Sequence, residues 1–128
     1  MFINNFKLSQ PEKERLIRIK ARTGVKNWNT LCRWAFCWSL AQSSIPDGVV
    51  PPSDSIEMDW LTFGGEGYAD IYEALLRQRC VNDGLDTSKE TLIKYFRLHL
   101  RRGINHFSTR GVLTSDIKFL DEICDKKE

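Results

Sequence analysis

With 128 residues, 41% of them apolar and 28% charged, the chain is long enough for one modest core and too rich in apolar side chains to be disordered. Its formal net charge is only +2, no apolar run nears the ~20 residues of a membrane-spanning helix, and no signal-peptide pattern opens it. Neither a membrane span nor secretion is therefore expected, and the cytoplasm is the expected compartment.

The charge is unevenly placed. Between Lys7 and Arg33 eight cations face two acids, a local +6, whereas Asp47 to Glu90 carries ten acids against three cations, a local −7. A concentrated basic segment on a small domain is the electrostatic footprint of a polyanion, most often nucleic acid; a merely solvated helix is the bland alternative.

Phe2 to Leu8 alternates as a short strand would, with Asn4, Phe6 and Leu8 on one side and Ile3, Asn5 and Lys7 on the other. In so helical a chain its partner is expected in a second chain, as an antiparallel ribbon across a dimer, unless the terminus simply frays. Ser9-Gln-Pro-Glu12 is a capping box, and the helix it opens should stop at Thr23-Gly24. On that helix Arg15, Arg18 and Arg22 share one face, Leu16, Ile19 and Thr23 another, and Lys13 and Lys20 flank the apolar stripe. Lys26 follows in the turn.

Asn27 to Thr30 supplies the next cap, and Leu31 to Gln42 reads as a helix apolar nearly all round, with Arg33 its lone charge. Such a helix should be buried on most faces and lie at a subunit interface. Strand, helix, tight turn, helix over residues 2–42 is the order of a ribbon-helix-helix module. Residues 43–67, with most of the prolines and Gly64-Gly65-Glu66-Gly67, read as an acidic loop. Residues 68–128 read as a helical remainder. It comprises Tyr68 to about Asn82, then a helix of roughly Ser88 to Phe107 behind a Thr87-Ser-Lys-Glu90 capping box, then Ser115 to Asp125. The second of these has an inner face of Leu92, Phe96, Leu100 and Phe107 and an opposed stripe of Lys94, Arg97 and Arg101, a further candidate for polyanion contact. The expected fold class is mainly α, in one compact domain spanning 1–128.

Catalytic candidates are weaker. The glycine cluster lacks the Gly-Lys-Ser/Thr of a phosphate loop and reads as a turn. Asp54, Glu57, Asp59, Glu66, Asp70 and Glu73 have no spacing that announces a metal site, so no metal and no cofactor is expected. Cys32, Cys37, Cys80 and Cys124 show no zinc or redox spacing and read as buried thiols. His99 and His106 read as structural or phosphate-contacting, and Trp34 and Trp38 as core. Trp28, beside Lys26, is the one tryptophan to test for base stacking.

Four stretches, taken in order, resemble a known family: Asn29 to Leu40 (NTLCRWAFCWSL), Ile45-Pro-Asp47, Tyr68 to Arg79 (YADIYEALLRQR) and His99 to Ile104 (HLRRGI). They look like DndE, the small component of bacterial DNA phosphorothioation (DNA sulfur modification) systems, over about residues 1–107. The Leu31-Cys-Arg-Trp-Ala-Phe-Cys37 segment is the distinctive part, and Arg102 departs from the Asn expected there. The resemblance implies a non-catalytic, DNA-binding protein with a mainly helical, ribbon-helix-helix-like fold. It also implies a homotetramer that works with other phosphorothioation proteins and favours nicked double-stranded DNA through surface lysines. The residues expected to touch DNA are Lys7, Lys13, Arg15, Arg18, Lys20, Arg22, Lys26, Lys94, Arg97 and Arg101. Two alternatives come from other classes. One is a metal-dependent nickase using Asp59, Asp70 or Glu73, which would open supercoiled plasmid in magnesium. The other is a protein–protein adaptor, which would not retard free duplex in a gel.

Overall fold

The Ser9 side chain accepts from the Glu12 N–H while the Glu12 carboxylate accepts from the Ser9 N–H at 2.9 Å, so the capping box closes and helix α1 runs Gln10–Thr23. The structure, a computed structural model, describes residues 3–109. Phe2, Cys124 and the helix expected over Ser115 to Asp125 lie outside the described residues. Gly24 ends α1 at φ 74°, the left-handed conformation that glycine adopts without a Cβ penalty, and its N–H reaches the Lys20 carbonyl at 2.9 Å.

Strand β1 (Asn5–Lys7) precedes α1, and α2 (Trp28–Ala41) follows it. The order strand, helix, helix is the one expected, but the strand's partner is not in another chain. It pairs antiparallel with β2 (Glu57–Asp59), in the register Asn5↔Asp59, Phe6↔Met58 and Lys7↔Glu57. Bonds of 2.8 Å from Leu8 N to Ile56 O and from Trp60 N to Asn4 O extend the pairing. The pleat turns Phe6 and Met58 inward together, which is why three residues from each strand suffice.

The segment expected to be wholly loop therefore carries β2 and, directly after it, the short α3 (Trp60–Gly64). Trp60 is fully buried, and its indole N–H donates to the Ala69 carbonyl at 2.9 Å. Helix α4 (Ala69–Asn82) stops at Asp83 and a left-handed Gly84. Helix α5 (Lys89–Ser108) is capped by Ser88, one residue later than expected, because the Ser88 hydroxyl is the oxygen that accepts from Thr91 N.

One core results. Phe6, Phe36, Trp60, Phe63 and Phe96 meet mostly edge to face, with centroids 4.8–6.3 Å apart, so the sheet, α2, α3 and α5 share one aromatic cluster. Helix α2 finds its cover inside the chain, against α5. The two backbones come so close that a Cβ at Gly103 would overlap the Ala35 carbonyl. Trp34 and Trp38 are half-buried rather than full core members. The exposed apolar side chains lie elsewhere: Tyr68, Ile71, Leu75 and Val81 on or beside α4, Ile45 and Val49 in the proline-containing loop, Leu61 on α3, Leu85 after α4 and Ile17 on α1.

Candidate nucleic-acid interface

Because Glu12, Leu16, Ile19 and Thr23 form the buried stripe of α1, its cations are forced to the flanks. Arg15, Arg18 and Arg22 fall along one flank, Lys13 and Lys20 along the other. Arg18, Lys20 and Arg22 are exposed, as are Lys26 in the following turn and Lys7 on β1, while Lys13 and Arg15 are half-buried. Arg22 Nη1 donates to the Ser108 carbonyl at 3.1 Å, which sets the arginine flank beside the end of α5. Lys7 lies opposite Glu57 in the sheet.

The second expected stripe is differently employed. Lys94 pairs with Glu90 at 2.8 Å on the open surface, one turn away on the same helix. Arg97 is buried: its Nη2 meets Glu12 Oε1 at 3.0 Å and the Pro52 carbonyl at 3.0 Å, and its Nη1 meets Ser53 Oγ at 2.7 Å. Arg101 donates to the carbonyls of Val49 (2.9 Å) and Asp47 (3.4 Å). These arginines lash the proline-containing loop to α5. Arg97 in particular stands inside the protein, where it cannot meet a phosphate backbone, so the expectation of a second exposed stripe is corrected.

Sequence reasoning missed another pair of arginines. Helix α2 ends without a basic residue in its last turn and without a glycine cap, so its terminal carbonyls need outside donors. Arg79 supplies them to Leu40, Gln42 and Ser44 at 2.7–2.8 Å, held in turn by Asp83, which also accepts from the Tyr95 hydroxyl. Arg102 donates to Ser39 O, Ser39 Oγ and Ser44 O. The lack of a glycine or a basic residue at the end of α2, where Gln42 alone caps, was the signal that could have found both.

His99 lies against this clamp, fully buried, with Nδ1 2.8 Å from Ser39 Oγ. Burial, reinforced by the Arg79 and Arg102 cations, pushes its pKa from 6.5 down to about 3. The unfolded chain therefore takes up that proton first. The stability that neutral His99 contributes is complete above about pH 6.5 and is lost as the pH falls from there towards 3. Urea midpoints should decline between pH 7 and pH 5, and His99→Gln should flatten that decline; an equal decline in both proteins would contradict it. His106 stacks on Trp38 with centroids 3.8 Å apart, and burial lowers its pKa too.

The remaining candidates are dispersed. Glu73 Oε1 accepts from Ile3 N at 2.8 Å, and Asp54 Oδ1 from Gln10 N at 3.0 Å. Glu57 and Asp59 point outward from β2, and Glu66 and Asp70 are exposed. Among the described residues no group of three His, Cys, Asp or Glu is placed to hold a metal. Trp28 is half-buried against the core, with its indole N–H enclosed and without a partner among the described residues. Cys32 and Cys80 are buried, and burial lifts their thiols to about 12 and about 11; Cys37 is exposed.

Comparison with known proteins adds to this geometry. The family described as "DNA sulphur modification protein DndE" matches residues 5–115. No curated protein matches. Among solved structures, the chain is similar to DndE from Escherichia coli B7A, described as involved in DNA phosphorothioation modification. The two are 26% identical with a TM-score of 0.67, over 83% of this chain and 97% of that one.

Proposed function

The chain belongs to the DndE family of DNA sulphur modification proteins, and from that premise we propose that it is a non-catalytic subunit that holds duplex DNA, preferring nicked duplex, through its phosphates. It acts in the cytoplasm beside other phosphorothioation proteins. The observation that supports this reading is the set of cations on and around α1. Arg18, Lys20, Arg22, Lys26 and Lys7 are exposed, Lys13 and Arg15 are half-buried beside them, and Glu14 is the one exposed acid on that helix. Cations so placed displace condensed counterions from a polyphosphate and read little base sequence. A homotetramer is part of the proposal. The apolar row of Tyr68, just before α4, and Ile71 and Leu75 on its outer side supports self-association more than α2 does, since one face of α2 is covered by α5 and its Trp34 and Trp38 are half-buried.

The test is binding to intact and to singly nicked duplex across a salt series. Log affinity should fall with log salt by ~0.9 per phosphate contact, so five or six engaged cations give a slope of about −5, with the nicked duplex bound more tightly throughout. A slope near zero, or no retardation of free duplex, would favour the adaptor reading instead.

A further inference from the structure

Between the first turn of α1, the Val49–Pro52 stretch and the C-terminal half of α5 lies a cavity of about 340 Å³. That is near the small end of the roughly 300–1,000 Å³ of ligand sites. Its walls combine three chemistries. Val49 and Pro52, with the residues between them, make an apolar side. Arg15 and Arg101 bring positive charge, and Arg15 has no hydrogen bond or ion pair among the described residues. Glu12 adds an acceptor. Its Oε1 is engaged by Ser9 and Arg97, whereas its fully buried Oε2 has no donor among the described residues, and neither has Asn105 Oδ1.

The three together narrow the occupant. Buried acceptors call for donors, so inorganic phosphate would answer the arginines and leave Glu12 Oε2 and Asn105 Oδ1 unmet. A metal cation would meet the acceptors but face two guanidinium groups. One nucleotide unit has every part: a phosphate for Arg15, with the charge of the loop-bound Arg101 nearby, a flat base for the valine and proline wall, and N–H groups for the two orphan acceptors. The arginine row continues from Arg15 to Arg18 and Arg22, so the nucleotide belongs to a strand rather than standing free. We propose that this pocket seats one unpaired nucleotide of DNA held along α1. This rests on the DNA-holding reading above.

Unpairing a base inside a duplex costs a few kcal/mol, and a nucleotide already unpaired avoids that cost. The full chain should therefore bind a duplex with one bulged adenine about tenfold or more tighter than the same duplex fully paired. Val49, 82% exposed at the cavity rim, can become Trp and fill the space without disturbing the core. Val49→Trp and, separately, Asn105→Leu should each remove the preference for the bulge and leave affinity for paired duplex unchanged, with helix content checked by circular dichroism. Equal binding of both duplexes by the wild type, or a preference that survives both substitutions, overturns the pocket while DNA holding stands. Failure to bind either duplex overturns the DNA-holding reading and the pocket with it, so the two failures are distinguishable.

Discussion

Replacing Arg97 with methionine should lower the free energy of unfolding by about 3–5 kcal/mol, the effect of stranding a buried charge by deleting its partner. The side chains of Arg97 and Glu12 are only 3% and 1% exposed, and they meet at 3.0 Å. Without Arg97 the Glu12 carboxylate keeps its bonds to Ser9 but loses the ion pair it makes at 3.0 Å. Pro52 O and Ser53 Oγ lose their donor at the same time, which leaves Arg101, through the Val49 and Asp47 carbonyls, to hold that loop to α5. Lys94→Met, three residues earlier on the same stripe, is the contrast. Its pair with Glu90 is 59% and 76% exposed, so water screens the attraction and its loss should barely move the stability. Adding Glu12→Gln to Arg97→Met keeps the cap's acceptor, removes the stranded charge and should restore part of the loss. Urea unfolding of the four proteins decides. If Arg97→Met costs no more than Lys94→Met, the buried pair does not hold the fold.

That contrast marks where the sequence stopped being legible. Spacing of i, i+3 and i+7 places Lys94, Arg97 and Arg101 on one helix face, and they do share it. Spacing does not tell which distant segment covers that face. Here a loop 45 to 54 residues earlier does so, because the carbonyls of Asp47, Val49 and Pro52 are acceptors in want of donors. Strand pairing failed for the same reason. Glu57-Met-Asp59 is three residues long and has no hairpin turn leading to β1, so its match with Asn5–Lys7 is a long-range fact. Signals that act within a few residues were readable. Ser9 with Glu12, Gly24 and Gly84 gave the ends of α1 and α4, since capping is decided by neighbours in the chain. The α1 cations were equally readable, because the Leu16–Ile19–Thr23 stripe that must turn inward fixes where the rest of the helix points.

Reversing that charge should have the largest effect on function. Arg15→Glu, Arg18→Glu and Arg22→Glu together should weaken duplex binding at about 0.1 M salt by about three orders of magnitude, since each phosphate contact contributes roughly tenfold there through counterion release. The slope of log affinity against log salt should become shallower by about 3, one unit per contact. The fold should tolerate the change. Arg18 and Arg22 are exposed and Arg15 is half-buried, so none of the three is needed by the core. The structural losses are the single bond from Arg22 to Ser108 O and a less favourable charge in the last turn of α1, together worth about 1–2 kcal/mol. Helix content by circular dichroism should match the wild type, which separates lost binding from lost structure. The salt slope is the sharper reading, because a general change in net charge shifts affinity for any polyanion, whereas a slope reduced by about 3 counts the contacts removed. A folded triple variant that keeps both its affinity and its slope would move the DNA off the arginine flank of α1.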